Sequence, residues 1–172
     1  MIRILGVDPG SRRTGYGIIE VQGNQARPVE SGVLRLEHLQ IPERLGKIYQ
    51  ELTALIEKWS PHCLSIEKVF VHKNPESALK LGQARGVAIC AAANQNLAVH
   101  EYAAREIKLA TVGYGNASKQ QVQHMTRILL GLREMPLEDA ADALAAALCH
   151  MQQSGGMTRL LLQREARKGA KA

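Results

Sequence analysis

The order of the predicted strands and helices most constrains the fold. Three apolar segments, at residues 2–7, 15–21 and 29–36, follow one another with only turns between them. Strands joined in this way form an antiparallel meander. Two further strands, at residues 62–70 and 97–102, each follow a helix, and a strand reached through a helical crossover lies parallel to its neighbour. The pattern predicts an α/β fold with a mixed five-stranded sheet and helices on both faces.

Two of the predicted helices lie between these strands. The first opens at Pro42 and ends at Ser60, with apolar residues at helical spacing. The second has Asn74 as N-cap and Pro75 at its first position. Its residues are small or apolar nearly all round, which predicts burial on both sides, with one face against the sheet and the other against another helix. That other helix could belong to a second subunit.

The remaining segments predict three more helices and a tail. Short helices are expected at 104–111 and 118–130, on either side of a glycine-rich loop, and a last helix is closed by Gly155 and Gly156. We expect one domain over residues 1–156, followed by a basic, flexible tail over 157–172.

Composition indicates which partners and which cellular compartment fit this protein. The net charge of +6 permits a polyanionic partner. No apolar run approaches the roughly 18 residues of a membrane span, and because the N-terminus leads straight into a predicted strand we expect no signal peptide. Three cysteines without a C-x-x-C pair read as small buried or half-buried residues in a reducing cytoplasm. Five of the six histidines show no metal-ligand spacing such as H-x-x-x-H, namely His62, His72, His100, His124 and His150, and we expect His38 to be exposed.

Four carboxylates stand at informative positions. Asp8 ends the first strand, Glu67 lies in the fourth strand beside it, and Asp139 and Asp142 share one face of the last helix. Three of them, taken singly, have a simpler explanation. Asp8 could form an Asx turn, Glu67 could face solvent, and Asp139 could stabilise a helix N-terminus. Asp142 is harder to dismiss, because its neighbours are small and apolar.

Together these acids favour a cation site. Clustered carboxylates raise one another's pKa, and the usual reason to gather them is a hard divalent cation such as Mg²⁺. Two ions held roughly 4 Å apart can activate a water and stabilise the leaving oxygen of a phosphodiester. In a basic protein this pattern predicts metal-dependent hydrolysis of nucleic acid.

Four motifs in this order resemble a known family. The blocks D-P-G-S-x-x-T-G-Y-G, I-E-K-V-F, S-A-L-K-L-G-Q-A-R-G-V-A-I and D-A-A-D-A-L-A-A-A-L begin at Asp8, Ile66, Ser77 and Asp139. They are similar to RuvC, the bacterial Holliday-junction resolvase family, over about residues 2–150. The resemblance implies a ribonuclease-H-like fold and a homodimeric, Mg²⁺-dependent endonuclease, with Mn²⁺ as a substitute. It also implies that the enzyme makes paired symmetric nicks in a four-way DNA junction. Its implied partners are RuvA and RuvB.

The resemblance also assigns roles to residues. The residues that match the metal-binding catalytic tetrad are Asp8, Glu67, Asp139 and Asp142. Glu138 directly precedes Asp139, so the choice of Asp139 as the third ligand depends on how the motif is aligned. Phe70, the only phenylalanine, matches an aromatic that stacks on an unpaired base near the crossover. Lys108 and Lys119 match basic residues that lie beside the scissile phosphate in this family. From their position beside the acid-bearing loops, we expect further phosphate contacts from Arg12, Arg13 and Lys73.

Two other classes of protein fit part of the pattern. An ATP-binding domain of the actin and sugar-kinase class also begins with a strand, an aspartate and a glycine-rich turn. It needs two such domains and about twice this length, and it does not explain Glu67. A non-catalytic DNA-binding protein would account for the charge but not for four acids at motif positions.

Overall fold

The computed structural model describes residues 1–69 and 75–169, with side chains through residue 155. The predicted order of elements is confirmed in this part of the chain. The elements are β1 (Ile2–Asp8), β2 (Arg13–Gln22), β3 (Gln25–Arg35), α1 (Ile41–Trp59), β4 (Cys63–Glu67), α2 (Pro75–Asn94), β5 (Ala98–Tyr102), α3 (Ala104–Val112), α4 (Lys119–Leu130) and α5 (Glu138–Gly169).

The five strands form one sheet in the order β3-β2-β1-β4-β5. β1, β2 and β3 pair antiparallel, and β4 and β5 are parallel to β1, as predicted. The second and third strands extend further than expected, so that the turn between them shrinks to Gly23 and Asn24, with Gly23 at φ 61°. Pro28 lies within β3, although proline has no N–H to donate to a neighbouring strand. It is tolerated there because β3 is an edge strand that pairs only with β2.

Helices α1 and α2 cover one face of the sheet. The apolar face of α1 is buried as its spacing predicted, at Ile48, Leu52, Leu55 and Ile56. The buried residues of α2 are alanines on one side only, whereas Leu79 on the other side is 70% exposed. Burial of α2 on both faces is therefore wrong for the single chain, since the described residues offer nothing to cover its outer face.

Helix α5 covers the other face, with α3 and α4 packed beside it. Its residues from Ala143 to Cys149 are almost completely buried. A Cβ atom on Gly6 would overlap the Ala143 carbonyl oxygen, and one on Gly17 would lie 2.6 Å from Leu144. These glycines let the helix axis approach the sheet more closely than any side chain would allow.

The predicted end of the last helix at Gly155 and Gly156 is wrong, because α5 continues to Gly169. A glycine inside a helix costs only about 1 kcal/mol, and no proline follows to stop the helix. The expected flexibility of residues 157–172 stays a prediction. Residues 170–172 and the predicted Asn74 cap lie outside the described residues.

Two expectations from composition can be compared with the structure. Cys63 and Cys149 are buried, but Cys90 on α2 is exposed, which corrects the expectation of three buried or half-buried thiols. It lies on the side of α2 that faces away from the sheet. Within the described residues, no helix is both long and apolar enough to cross a membrane.

Candidate active site

The carboxylates of Asp8 and Glu67 lie side by side at the C-terminal ends of two neighbouring inner strands. Asp8 is the last residue of β1 and Glu67 the last residue of β4. The two strands are parallel, with Val7 opposite Ile66 in the register. Because neighbouring strands lie about 4.8 Å apart, the next residues, Asp8 and Glu67, end next to each other.

Helix α5 adds the other two carboxylates from its first turns. Asp139 is the second residue of the helix, and Asp142 follows three residues later on the same face. Gly15 of β2 is the partner of Asp8 in the antiparallel pairing of β2 with β1. A Cβ atom on Gly15 would overlap the Asp139 carbonyl oxygen. The helix therefore starts in contact with the strand end that carries Asp8, and all four predicted acids lie close together at one site, which we call the cleft.

The proximity of these acids changes their proton affinity. The pKa of Asp8 is raised from 3.8 to about 8, mainly by burial and then by the charges of Asp142, Glu67 and Asp139. Burial, followed by the charge of Asp142, also raises the pKa of Glu67. The pKa of Asp142 is raised as well, with burial as the main cause. The cleft thus holds more negative charge than its own cations neutralise.

Among the described residues, Lys108 and Lys119 bring positive charge to Glu67 and Asp142. Lys119, at the start of α4, donates to Glu138 at 2.5 Å and lies 3.9 Å from a carboxylate oxygen of Asp142. Lys108 is half-buried on α3, and its charge lowers the pKa of Glu67 and Asp142. Glu138, the acid that made the register uncertain, is thus the ion-pair partner of Lys119, a contact that no sequence pattern indicated.

The connection from β1 to β2 ends with Arg12, and Arg13 is the first residue of β2; both arginines are exposed. The Thr14 hydroxyl donates to the Gly10 carbonyl oxygen at 2.8 Å and closes the turn. Arg13 Nε donates to Glu37 at 2.6 Å, so that its charge is already paired, whereas Arg12 remains exposed beside it. Phe70 and Lys73, the other two predicted DNA contacts, lie outside the described residues, as does His72.

The donor set of the cleft fits a hard divalent cation. All four candidate ligands supply carboxylate oxygens, the ligand type that Mg²⁺ and similar ions prefer. Burial and mutual repulsion raise the pKa of three of these carboxylates, although the charges of Lys108 and Lys119 offset part of the shift. A bound cation would favour their ionised forms and lower those pKa values.

A mixed sheet of this order, with acids at the ends of two central strands and on the covering helix, defines the ribonuclease-H-like class of nucleases. The family model for crossover junction endodeoxyribonuclease RuvC matches residues 4–150. The chain belongs to this family. As a member of it, the chain is a nuclease that hydrolyses phosphodiester bonds with the help of a divalent metal.

Individual relatives agree with this assignment. Crossover junction endodeoxyribonuclease RuvC of Marinobacter nauticus is 53% identical over 93% of this chain and 91% of the relative. The protein of the same name from Alkalilimnicola ehrlichii is 54% identical over 93% and 97%. The structure of Thermus thermophilus RuvC in complex with a Holliday junction substrate superposes with a TM-score of 0.86 at 32% identity, covering 92% of this chain and 98% of that one.

Proposed function

We propose that this protein resolves four-way DNA junctions by paired symmetric nicks in homologous recombination and repair. The observation that carries the proposal is the convergence of four carboxylates from β1, β4 and α5 in a chain of the RuvC family. The complex of the Thermus thermophilus relative with a Holliday junction supports the substrate.

The carboxylates are proposed as the catalytic tetrad: Asp8, Glu67, Asp139 and Asp142. When bound, two Mg²⁺ ions, or Mn²⁺ in their place, would activate a water and stabilise the leaving oxygen of the phosphodiester. Asp8 is central, because its pKa responds to each of the other three acids. Lys119 and Lys108 bring positive charge to the same cleft, where they can stabilise the phosphate as negative charge develops on it.

The DNA contacts are proposed to surround this cleft. Arg12 and Arg13 line a surface groove together with Ser77 and Leu81 of α2. Arg12 is the stronger candidate for a phosphate contact, because Arg13 would first have to leave Glu37. Phe70 is proposed to stack on a base near the crossover, and Lys73 to contact a phosphate, both in the segment that joins β4 to α2.

The assembly is proposed to be a homodimer. A junction has approximate two-fold symmetry, and a two-fold dimer would present identical clefts to two equivalent strands. The outer face of α2 supports this proposal. Leu79 is 70% exposed, and a Cβ atom added to Gly82 or Gly86 would meet nothing within 4 Å, so a second helix can approach closely. A monomeric sedimentation coefficient at micromolar concentration would contradict the dimer.

The cellular setting is also part of the proposal. The enzyme acts in the cytoplasm, together with RuvA and RuvB as branch-migration partners. Residues 1–156 are proposed to form its nuclease domain, and the basic segment 157–172, in which α5 continues to Gly169, to be a tail that the domain does not need. Loss of residues 157–172 is therefore expected to leave the fold of the nuclease domain intact, which circular dichroism of the shortened chain would check.

A direct test compares binding with cleavage on a synthetic four-way junction. The Asp8→Asn variant should bind the junction as the wild type does but fail to cut it with Mg²⁺, because one ligand of the metal is lost. The exposed Glu134→Gln variant is the matched control and should cut normally. Cleavage by Asp8→Asn at the wild-type rate would refute the tetrad. Binding without any cleavage by the wild type would instead indicate a non-catalytic DNA-binding protein.

A further inference from the structure

A second group of metal-ligating side chains lies on the α5 side of the sheet, at the other end of β4. Cys63 begins β4, His100 lies in β5 opposite Ser65, and His150 lies on α5. The Cys63 thiol and one nitrogen of each imidazole all lie within 4.8 Å of one another. The three residues are far apart in the sequence, which is why the spacing of the histidines did not reveal the group.

The two imidazoles are held in a defined arrangement. Their rings stack with centroids 4.1 Å apart and an interplanar angle of 23°. The Tyr102 hydroxyl lies 2.7 Å from Nδ1 of His150. When Nδ1–H donates to the Tyr102 oxygen, the lone pair of Nε2 is free to bind a metal, and metal-binding histidines usually have such a partner on the second ring nitrogen.

We propose that Cys63, His100 and His150 form a binding site for one zinc-class ion, with Tyr102 orienting His150. This site is separate from the carboxylate cleft. Glu67 and Cys63 are four residues apart on one strand, a distance of about 13 Å. Asp142 and His150 are eight residues apart on one helix, about 12 Å.

The chemistry of the group selects a different metal from that of the cleft. Thiolate and imidazole bind Zn²⁺ and related transition ions, whereas carboxylate oxygens suit Mg²⁺. Zinc holds sulfur at about 2.3 Å and nitrogen at about 2.0 Å, so the three ligand atoms need to move together by about 1 Å. The stacked rings also need to tilt apart, so that both nitrogen lone pairs point at the ion. A small ligand such as water would complete the tetrahedron.

The protonation of the ligands is compatible with this binding. Burial and the neighbouring His100 lower the pKa of His150 to about 4, so its imidazole is neutral and has a free lone pair. Burial raises the pKa of the Cys63 thiol to about 11. The ion therefore displaces the thiol proton to the solvent as the metal–sulfur bond forms.

The position of the site suggests its effect. It would join β4, β5 and α5, and two of these elements carry Glu67, Asp139 and Asp142 at their other ends. A ligand that binds only the folded state raises stability. The bound ion would thus hold α5 against the sheet at a distance from the cleft.

Cobalt is the probe for this site, because a thiolate bound to Co²⁺ gives a near-ultraviolet charge-transfer band that carboxylates do not give. The full chain, stripped with a chelator, is titrated with Co²⁺ in excess Mg²⁺. We expect the band to saturate at one ion per chain and the melting temperature to rise. Zn²⁺ should then abolish the band by displacing Co²⁺.

Variants then assign the ligands. Cys63→Ser should lose the band, and His100→Phe, which keeps an aromatic ring in the stack, should lose one-to-one binding. Tyr102→Phe should weaken binding about tenfold. Cys90→Ser and His124→Gln change exposed residues and should behave as the wild type. Asp8→Asn should keep the band, which separates this site from the proposed active site.

Either of two results would overturn the proposal. One is the absence of a thiolate band in the wild type at saturating Co²⁺. The other is a band that persists in Cys63→Ser, or in His100→Phe, when circular dichroism shows that the variant is folded. A band lost in Cys90→Ser but kept in Cys63→Ser would assign metal binding to the exposed thiol instead.

Discussion

Replacing Asp8 with asparagine should stabilise the metal-free protein while it destroys the cleavage site. In the folded chain the pKa of Asp8 is about 8, mainly because of burial and then because of Asp142, Glu67 and Asp139, against an ordinary value of 3.8. The folded state therefore prefers the protonated acid. Below pH 3.8 both states are protonated and the group costs nothing. As the pH rises from 3.8 towards 8, Asp8 ionises more readily in the unfolded chain, where its pKa is lower. The free energy of unfolding therefore falls over this pH range.

The size of the effect follows from this shift. Each pH unit between the two pKa values contributes about 1.4 kcal/mol. From pH 3.8 to pH 7 this amounts to about 4 kcal/mol. Part of the Asp8 surface is open to solvent, and local rearrangement lowers both the burial cost and the repulsion, so we expect about 2 kcal/mol. For a chain of this size that corresponds to a rise in melting temperature of roughly 4–8 °C.

Thermal and urea melts in EDTA measure this effect. Wild type, Asp8→Asn and the control Glu134→Gln would be compared at pH 4, 5.5 and 7, values that span roughly the window in which Asp8 titrates. The advantage of Asp8→Asn should be near zero at pH 4 and grow with pH, while Glu134→Gln follows the wild type. Saturating Mg²⁺ should stabilise the wild type more than Asp8→Asn. If Asp8→Asn were equal to or less stable than the wild type at pH 7, the electrostatic account of the cleft would be wrong.

Three further substitutions test the scaffold and the DNA contacts. Gly15→Ala should displace Asp139 by about 1 Å and lower junction cleavage about 100-fold, whereas Gly46→Ala, with open space around it, should cut normally in the same assay. Ser65→Ala removes the buried hydrogen bond of 2.7 Å to the Ala146 carbonyl oxygen and should cost about 1–2 kcal/mol in urea melts. Phe70→Ala should impair cleavage of an intact junction and regain activity on a nicked one; unimpaired cleavage of the intact junction would exclude base stacking.

The sheet could be predicted because its signals are local. Each strand is a short apolar run, and the rules for meanders and helical crossovers then fix which strands pair and in which direction. The same rules placed Asp8 and Glu67 together, since both end parallel neighbours. The bounds were less accurate. The third strand begins at Gln25 because the two-residue turn at Gly23 lets pairing continue past Pro28.

Other parts of the structure depend on contacts that no local pattern encodes. The exposed face of α2 looked buried, because a helix rich in alanine and glycine reads the same whether one or two neighbours cover it. The pairing of Lys119 with Glu138 joins two helices across the cleft. Cys63, His100 and His150 meet only because β4, β5 and α5 pack together. Such groups follow from tertiary packing, which the sequence pattern does not resolve at the level of side chains.

The glycines of the central strands connect the packing of α5 with the chemistry of the cleft. At Gly6, Gly15 and Gly17 no side chain separates the sheet from α5, so the helix comes close enough to place its acids beside Asp8. The same approach removes Asp8 from water and raises its pKa. A larger residue at Gly15 would relieve the repulsion only by moving Asp139 away. The close packing that assembles the four carboxylates is therefore also what destabilises them without a cation, so stability in the absence of metal and cleavage activity should change in opposite directions when Asp8 is replaced.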